Sequence, residues 1–328
     1  MNLIDLLKIG CASALLSSCS GSGTAPQKEV VEMKDSVKIW DAEVVYRTNA
    51  LLGEGALWHD GQLYWLDIEN KELHFLSYKN GEVQDKKYIL PVKPGTVVPF
   101  KDGVILAMTD GIYRMTIAGA DTTLTKLAEN PELSIGSRYN DGKCDAAGRL
   151  WVGTYADEKK QCALYRFTNE GEPRKMLDGV VNSNGICWSP DGTKMYYIDT
   201  PTLTVQEFDF DEKNGEISNG HVIIRFPEGV GTPDGSTIDE EGMLWIAHWG
   251  GACVLRWNPQ TGEMIGKVNV PTRDITSVAF GGDDLGTLFI TTVSAWVPDS
   301  VKARYPDSGS LFAIKPGVKG LPSKVFAY

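Results

Sequence analysis

The stretch Gly231 to Gly251, GTPDGSTIDEEGMLWIAHWGG, decides the fold. It opens on an acidic residue in a Pro233-Asp234-Gly235 turn and runs through a short strand to a second turn at Glu241-Gly242. It then returns as a strand, Met243 to Ala247, that carries Trp245. The same phrase recurs along the chain. Asp234 stands eleven residues before Trp245, Glu54 eleven before Trp65 and Asn140 eleven before Trp151, while Asn184 stands twelve before Tyr196. Four oxygen-bearing side chains are thereby assigned one structural position in four copies of one unit.

Outward from this unit, strand signals dominate after Val37, and no stretch holds a helical period. Short turns rich in Asp and Gly punctuate the strands: His59-Asp60-Gly61, Lys101-Asp102-Gly103, Ala146-Ala147-Gly148, Pro190-Asp191-Gly192, Glu240-Glu241-Gly242 and Asp284-Leu285-Gly286. Alternations such as Leu164-Tyr165-Arg166-Phe167 supply the further strand of each unit. Six turns at a period of about 40 to 50 residues predict an all-β, six-bladed β-propeller of four-stranded blades over residues 37–328. A ring with an open first or last blade exposes unpaired edges. The strand-like run Lys38 to Thr48, KIWDAEVVYRT, is therefore expected to complete the blade built from the C-terminal segment, after which Ser323 to Tyr328 is only a short end.

Composition narrows the function classes. Of 328 residues, 42% are hydrophobic and 23% charged, enough for a full core in a soluble protein. A net charge of −11 argues against a nucleic-acid partner, because phosphate recognition needs a basic surface and none is concentrated here. Residues 1–19 read as a cleaved signal: Lys8 precedes an apolar run, Ile9 to Leu16, too short to span a bilayer. Leu16-Ser17-Ser18-Cys19 resembles the lipobox of bacterial lipoproteins, which implies an acyl anchor on Cys19 as the only membrane contact. Residues 20–36 read as a flexible tether. An exported lipoprotein, periplasmic or anchored to the cell envelope, is the expected location. Cys144, Cys162, Cys187 and Cys253 have neither disulfide-framework nor zinc spacing and are expected as buried thiols.

In a propeller the innermost strand of each blade lines the channel, so residues at its start gather at one mouth. Glu54, Asn140, Asn184 and Asp234 then converge although far apart in sequence, whereas the second and sixth units carry neutral residues near Thr96 and Val278. A single Asp-Gly or Asn-Gly would be read as a turn capped by its own side chain. A matched offset in four repeats points instead to shared ligation. Two carboxylates and two amide oxygens are hard donors, and the carboxylates repel unless a cation lies between them. Calcium is the favoured divalent ion, with magnesium, manganese or zinc as other possibilities.

The chain resembles the senescence marker protein, gluconolactonase and luciferin-regenerating family, a regucalcin-like group. The resemblance is carried by LGEGALWHDGQLYWLDI at Leu52 to Ile68, SRYNDGKCDAAGRLWVGTY at Ser137 to Tyr155 and SNGICWSPDGTKMYYIDT at Ser183 to Thr200. It continues through TPDGSTIDEEGMLWIAHWGGACVLRWNP at Thr232 to Pro259 and TSVAFGGDDLGTLFITT at Thr276 to Thr292. The resemblance implies hydrolysis of sugar lactones with one divalent metal held by Glu54, Asn184 and Asp234. It places Arg138, Asn140 and Glu158 on the substrate. The second unit, Lys93 to Tyr113, departs most from the family pattern.

The chemistry follows from these residue types. A lactone carbonyl gains negative charge during attack, and a Lewis acid stabilises it. Calcium acidifies bound water less than zinc does, so a neighbouring carboxylate, assigned to Asp234, takes the proton. Arg138 can donate forked hydrogen bonds to sugar oxygens, and Asn140 can orient a hydroxyl. No G-x-S-x-G elbow and no Gly-rich phosphate loop occurs, and the four histidines lack metal spacing. The nine tryptophans fit packing between blades. Two other classes stay open: a calcium- or ligand-binding propeller without turnover, and a lactonase or esterase for non-sugar esters.

Overall fold

Between turns, branched and aromatic residues alternate with polar ones, and each pair of adjacent runs folds back as an antiparallel ladder. In the computed structural model, which describes residues 37–79, 82–119, 121–156, 161–168 and 170–328, six such sheets form a six-bladed β-propeller. Cys19 and the tether lie outside the described residues. Blade 1 begins at Gly53–His59, blade 2 at Pro94–Phe100, blade 3 at Arg138–Cys144, blade 4 at Ser183–Trp188, blade 5 at Thr232–Ile238 and blade 6 at Ile275–Gly281. These innermost strands touch one another in turn, the sixth meeting the first, and so surround a central channel. All six turns named from the sequence join an innermost strand to the second strand of its blade.

Burial grades from the axis outward. In blade 2 the second strand, Gly103–Met108, is fully buried from Val104 onward. The outermost strand of blade 1, Glu82–Ile89, alternates between solvent and sheet and leaves Ile89 exposed. Aromatic side chains fill the wedges between blades. Trp58 stacks on Phe289 of blade 6 at 5.5 Å, Trp151 meets Trp188 of blade 4 edge-on at 6.1 Å, and Trp245 meets Phe280 of blade 6 at 5.6 Å. Such pairs add about 0.5–1.5 kcal/mol each beyond the area they bury. Cys144, Cys162, Cys187 and Cys253 are buried free thiols, as expected.

Ring closure differs in detail from the single strand expected over Lys38 to Thr48. Glu43–Tyr46 does complete blade 6, pairing antiparallel with Leu311–Ile314. Lys38–Asp41, however, runs parallel to Glu263–Asn269 as a fifth strand of blade 5. The buried, small Ala42 carries the chain between sheets and donates its N–H to the Asn269 carbonyl at 2.9 Å. Trp40 fixes the first half by packing on Trp245 at 5.3 Å, over Gly266, where a Cβ would come 2.7 Å from the Trp40 ring. One segment thus ties two blades together.

Two further devices secure the far ends of the innermost strands. In blades 3 and 5 the turn begins with a buried aspartate. Asp145 accepts from the N–H groups of Ala147 and Arg149, from Trp151 Nε1 and from Arg149 Nε. Asp239 does the same for Glu241, Met243, Trp245 and Arg256. The C-terminal segment then crosses the far mouth of the channel. It bonds in order to Glu240 of blade 5, Leu285 of blade 6, Trp58 of blade 1, Pro99 of blade 2 and Gly148 of blade 3. Phe326, 1% exposed, stacks on Phe167 at 5.9 Å.

Candidate active site

At the opposite mouth every innermost strand breaks register at the same height. The shifts lie at Glu54/Leu57, Pro94/Thr96, Tyr139/Gly142, Asn184/Ile186, Pro233/Ser236 and Ile275/Val278. A bulge adds one residue to a strand and re-aims the side chains beside it. Just past it, Leu57 pairs with Tyr64, Lys143 with Trp151, Cys187 with Tyr196 and Thr237 with Trp245. Three residues before these partners stand Glu54, Asn140, Asn184 and Asp234, so the four occupy one structural position.

Two details of the sequence reading change. The aromatic counterpart in blade 1 is Tyr64 and not Trp65, because the Asp60-Gly61 turn is one residue shorter than the turns of blades 3 and 5. In blades 2 and 6 the same count, taken back from Val97 and Ala279, gives Pro94 and Thr276 in place of Thr96 and Val278. Both are uncharged, so at this position carboxylates stand only in blades 1 and 5 and amides in blades 3 and 4.

Hydrogen bonds link the set. Arg138 donates to Asn140 Oδ1 at 2.6 Å, and Asn140 Nδ2 donates to Asn184 Oδ1 at 2.9 Å and to the Ser183 carbonyl at 2.7 Å. Asn184 Nδ2 donates to Thr200 Oγ1 at 2.7 Å, and Thr200 in turn bonds the Pro233 carbonyl next to Asp234. Among the described residues Asn184 Oδ1 therefore keeps one lone pair free. Arg138 lies over the Tyr155 ring at 5.2 Å. Burial works against its charge, whereas Tyr155, Glu54, Glu69 and Asp234 favour it. Glu69, whose charge favours that of Arg138, forms an ion pair with Lys93 at 2.7 Å.

The carboxyls are held in an unfavourable state. Burial, and then the charge of Asp141, push Glu54 up to about 8 against the opposing effect of the Gly55 N–H, Arg138 and Ser277. Burial, Glu54 and Asp141 push Asp234 well above the usual carboxylate range. A cation among them would relieve both the desolvation and the repulsion. Among the described residues no group of three or more His, Cys, Asp and Glu side chains is spaced to hold a metal by itself. Glu54 and Asp234 with the Asn184 amide oxygen form a mixed set of hard donors, which fits calcium and leaves coordination positions open.

Asp141 was not singled out from sequence, although it follows Asn140 directly. The signal was present: in the other three quoted ligand segments the residue at this place is Gly55, Gly185 or Gly235. Glu158 lies outside the described residues. His248 is fully buried, edge-on to Phe226 at 5.1 Å, and burial lowers it to about 3, so it is a neutral packing residue.

Comparison with known proteins accords with this arrangement. Residues 52–294 match the family model described as SMP-30/Gluconolactonase/LRE-like region. The chain is 37% identical over 294 residues to the putative sugar lactone lactonase YvrE of Bacillus subtilis, covering 88% of this chain and 99% of that one. It is 32% identical over 250 residues to the pentonolactonase XacC of Haloferax volcanii, covering 76% and 84%. The crystal structure of a calcium-binding regucalcin from Agrobacterium tumefaciens superposes with a TM-score of 0.83 at 28% identity, covering 89% of this chain and 99% of that one. With its propeller, the bulge-borne Glu54, Asn184 and Asp234, and this family match, the chain belongs to the SMP-30/gluconolactonase/LRE-like family.

Proposed function

We propose that this protein is a metal-dependent hydrolase that opens sugar lactones to aldonic acids. The reading is supported above all by the position shared by Glu54, Asn184 and Asp234 at the bulges of three blades, in a chain whose relatives include proteins named as lactonases. Glu54, Asn184 and Asp234 would hold one divalent ion, which supplies Lewis-acid polarisation of the lactone carbonyl. Calcium is favoured by the oxygen donors and by the calcium-binding description of the Agrobacterium regucalcin.

The side chains do the rest. Asp234 takes a proton from water as the water oxygen bonds to the carbonyl carbon, and returns it to the ring oxygen when the ester C–O bond breaks. Arg138 binds sugar oxygens, and Asn140 fixes both Arg138 and the Asn184 amide through its hydrogen bonds to each. Glu158 is assigned to the substrate by the family resemblance. Export and acylation at Cys19 complete the proposal, and mass spectrometry of the protein purified from membranes tests it, an unacylated Cys19 refuting the anchor.

The test of function is a panel of lactones with and without chelator. Hydrolysis of gluconolactone or a pentonolactone that stops in chelator and returns with calcium is the expected result. Turnover confined to aryl esters or acyl lactones would replace the substrate class, and ion binding with no turnover on any ester would make this a binding protein.

A further inference from the structure

One inner position departs from the repeat. The residue next to the ligand position is Gly55, Gly95, Gly185, Gly235 or Ser277 in five blades, and Asp141 in blade 3. The glycines answer close packing between neighbouring strands: a Cβ at Gly95 would lie 2.1 Å from the Tyr139 carbonyl oxygen, and one at Gly185 2.9 Å from that of Asp234. Blade 3 instead places a carboxylate on the channel, at a cavity of about 10 Å³ that Asp141 and Lys143 line together with Gly55, Thr96, Gly235 and Ser277. That is room for about one water.

The carboxylate is not needed to hold its own backbone. Asp141 Oδ1 accepts from the Gly142 N–H at 2.8 Å, a bond that asparagine would make equally well. The negative charge is felt by both Glu54 and Asp234. Lys143, two residues on, lines the same cavity and donates to the Ser236 carbonyl; burial pushes Asp141 above the usual carboxylate range, and the charge of Lys143 opposes that rise. A cation beside Glu54 and Asp234 would therefore meet a third carboxylate and, beyond it, one ammonium.

We propose that Asp141 is a positioning residue for the divalent ion, its carboxylate drawing the ion through a single water in the cavity, and that Lys143 limits that attraction. The inference rests on the reading that Glu54, Asn184 and Asp234 hold an ion. Removing a group one water away from a metal site weakens affinity roughly 10- to 100-fold. Calcium titration of the chelator-stripped full chain by calorimetry should show such a loss for Asp141→Asn and tighter binding for Lys143→Met.

Melting supplies an independent readout. In chelator Asp141→Asn should melt above the wild type, because a buried, desolvated carboxyl gives way to an amide that keeps the Gly142 bond, while the rise in Tm that calcium brings should shrink. A residue that only shaped the strand would lower Tm in both conditions. If Asp141→Asn does not fold, Asp141→Gly restores the residue that most blades carry here and takes its place. Unchanged calcium affinity in these variants, or an equal fall in Tm with and without calcium, overturns the inference alone. A wild type that binds no divalent ion overturns the metal reading as well.

Discussion

Glu54 and Asp234 are carboxyls whose folded environment favours the proton, and this sets how the ion-free protein responds to pH. Glu54 ordinarily titrates near 4.5 and is pushed to about 8 in the fold, with Asp234 shifted the same way. The folded state thus binds more protons than the unfolded chain between those limits. Stability in chelator should fall as pH rises from about 5 to 8. Saturating calcium should flatten that slope, because the ion takes the place of the protons, and Tm measured across this range in both conditions checks it. Asp234→Asn should keep the fold by circular dichroism yet lose roughly 10²- to 10⁴-fold in kcat, the scale of general-base catalysis. Retained turnover would reassign the base. The candidate ligand residues were legible because a repeat preserves register, so an offset of eleven or twelve exposes them. Asp141 was not, because Asn140-Asp141-Gly142 reads locally as a turn and only comparison with the neighbouring glycines marks it.

Among the elements, the buried turn aspartates are the most exacting. Asp239 accepts from two backbone N–H groups, an indole and the Arg256 guanidinium, of which Arg256 also reaches the exposed Glu241 carboxylate. Asp239→Ala leaves a nearly buried arginine without its inner partner. It should cost about 3–5 kcal/mol in denaturant unfolding. The lactone KM of the folded fraction should not change, because the turn lies at the channel end away from the candidate site. Strands and turns were readable from alternation and Asp-Gly pairs, which act within a few residues. The helix Asp299–Arg304 was not, since six residues cannot display a helical period. Nor was the break at Ala42, because both halves of Lys38 to Thr48 have strand character and only packing of Trp40 against Trp245 assigns the first half to blade 5.

At the scale of the whole molecule, ring closure is shared by the two ends of the chain. The N-terminal strap spans blades 5 and 6, so deleting residues 37–48 removes a strand from each sheet and opens both edges. Such a truncation should lose cooperative melting; a truncated protein with the wild-type Tm would refute this account of closure. The six-fold repeat was visible in the sequence, whereas the path of the C-terminal segment was not, for its bonds depend on where five separate blades end. That path has a consequence for traffic. With the rear blocked by the protein's own tail, and the interior narrowing to the space of one water, the funnel is a cul-de-sac. Under the proposed lactone hydrolysis, reactant and acid product would share a single doorway, and each turnover would finish with the departing anion backing out past the residues that admitted its parent.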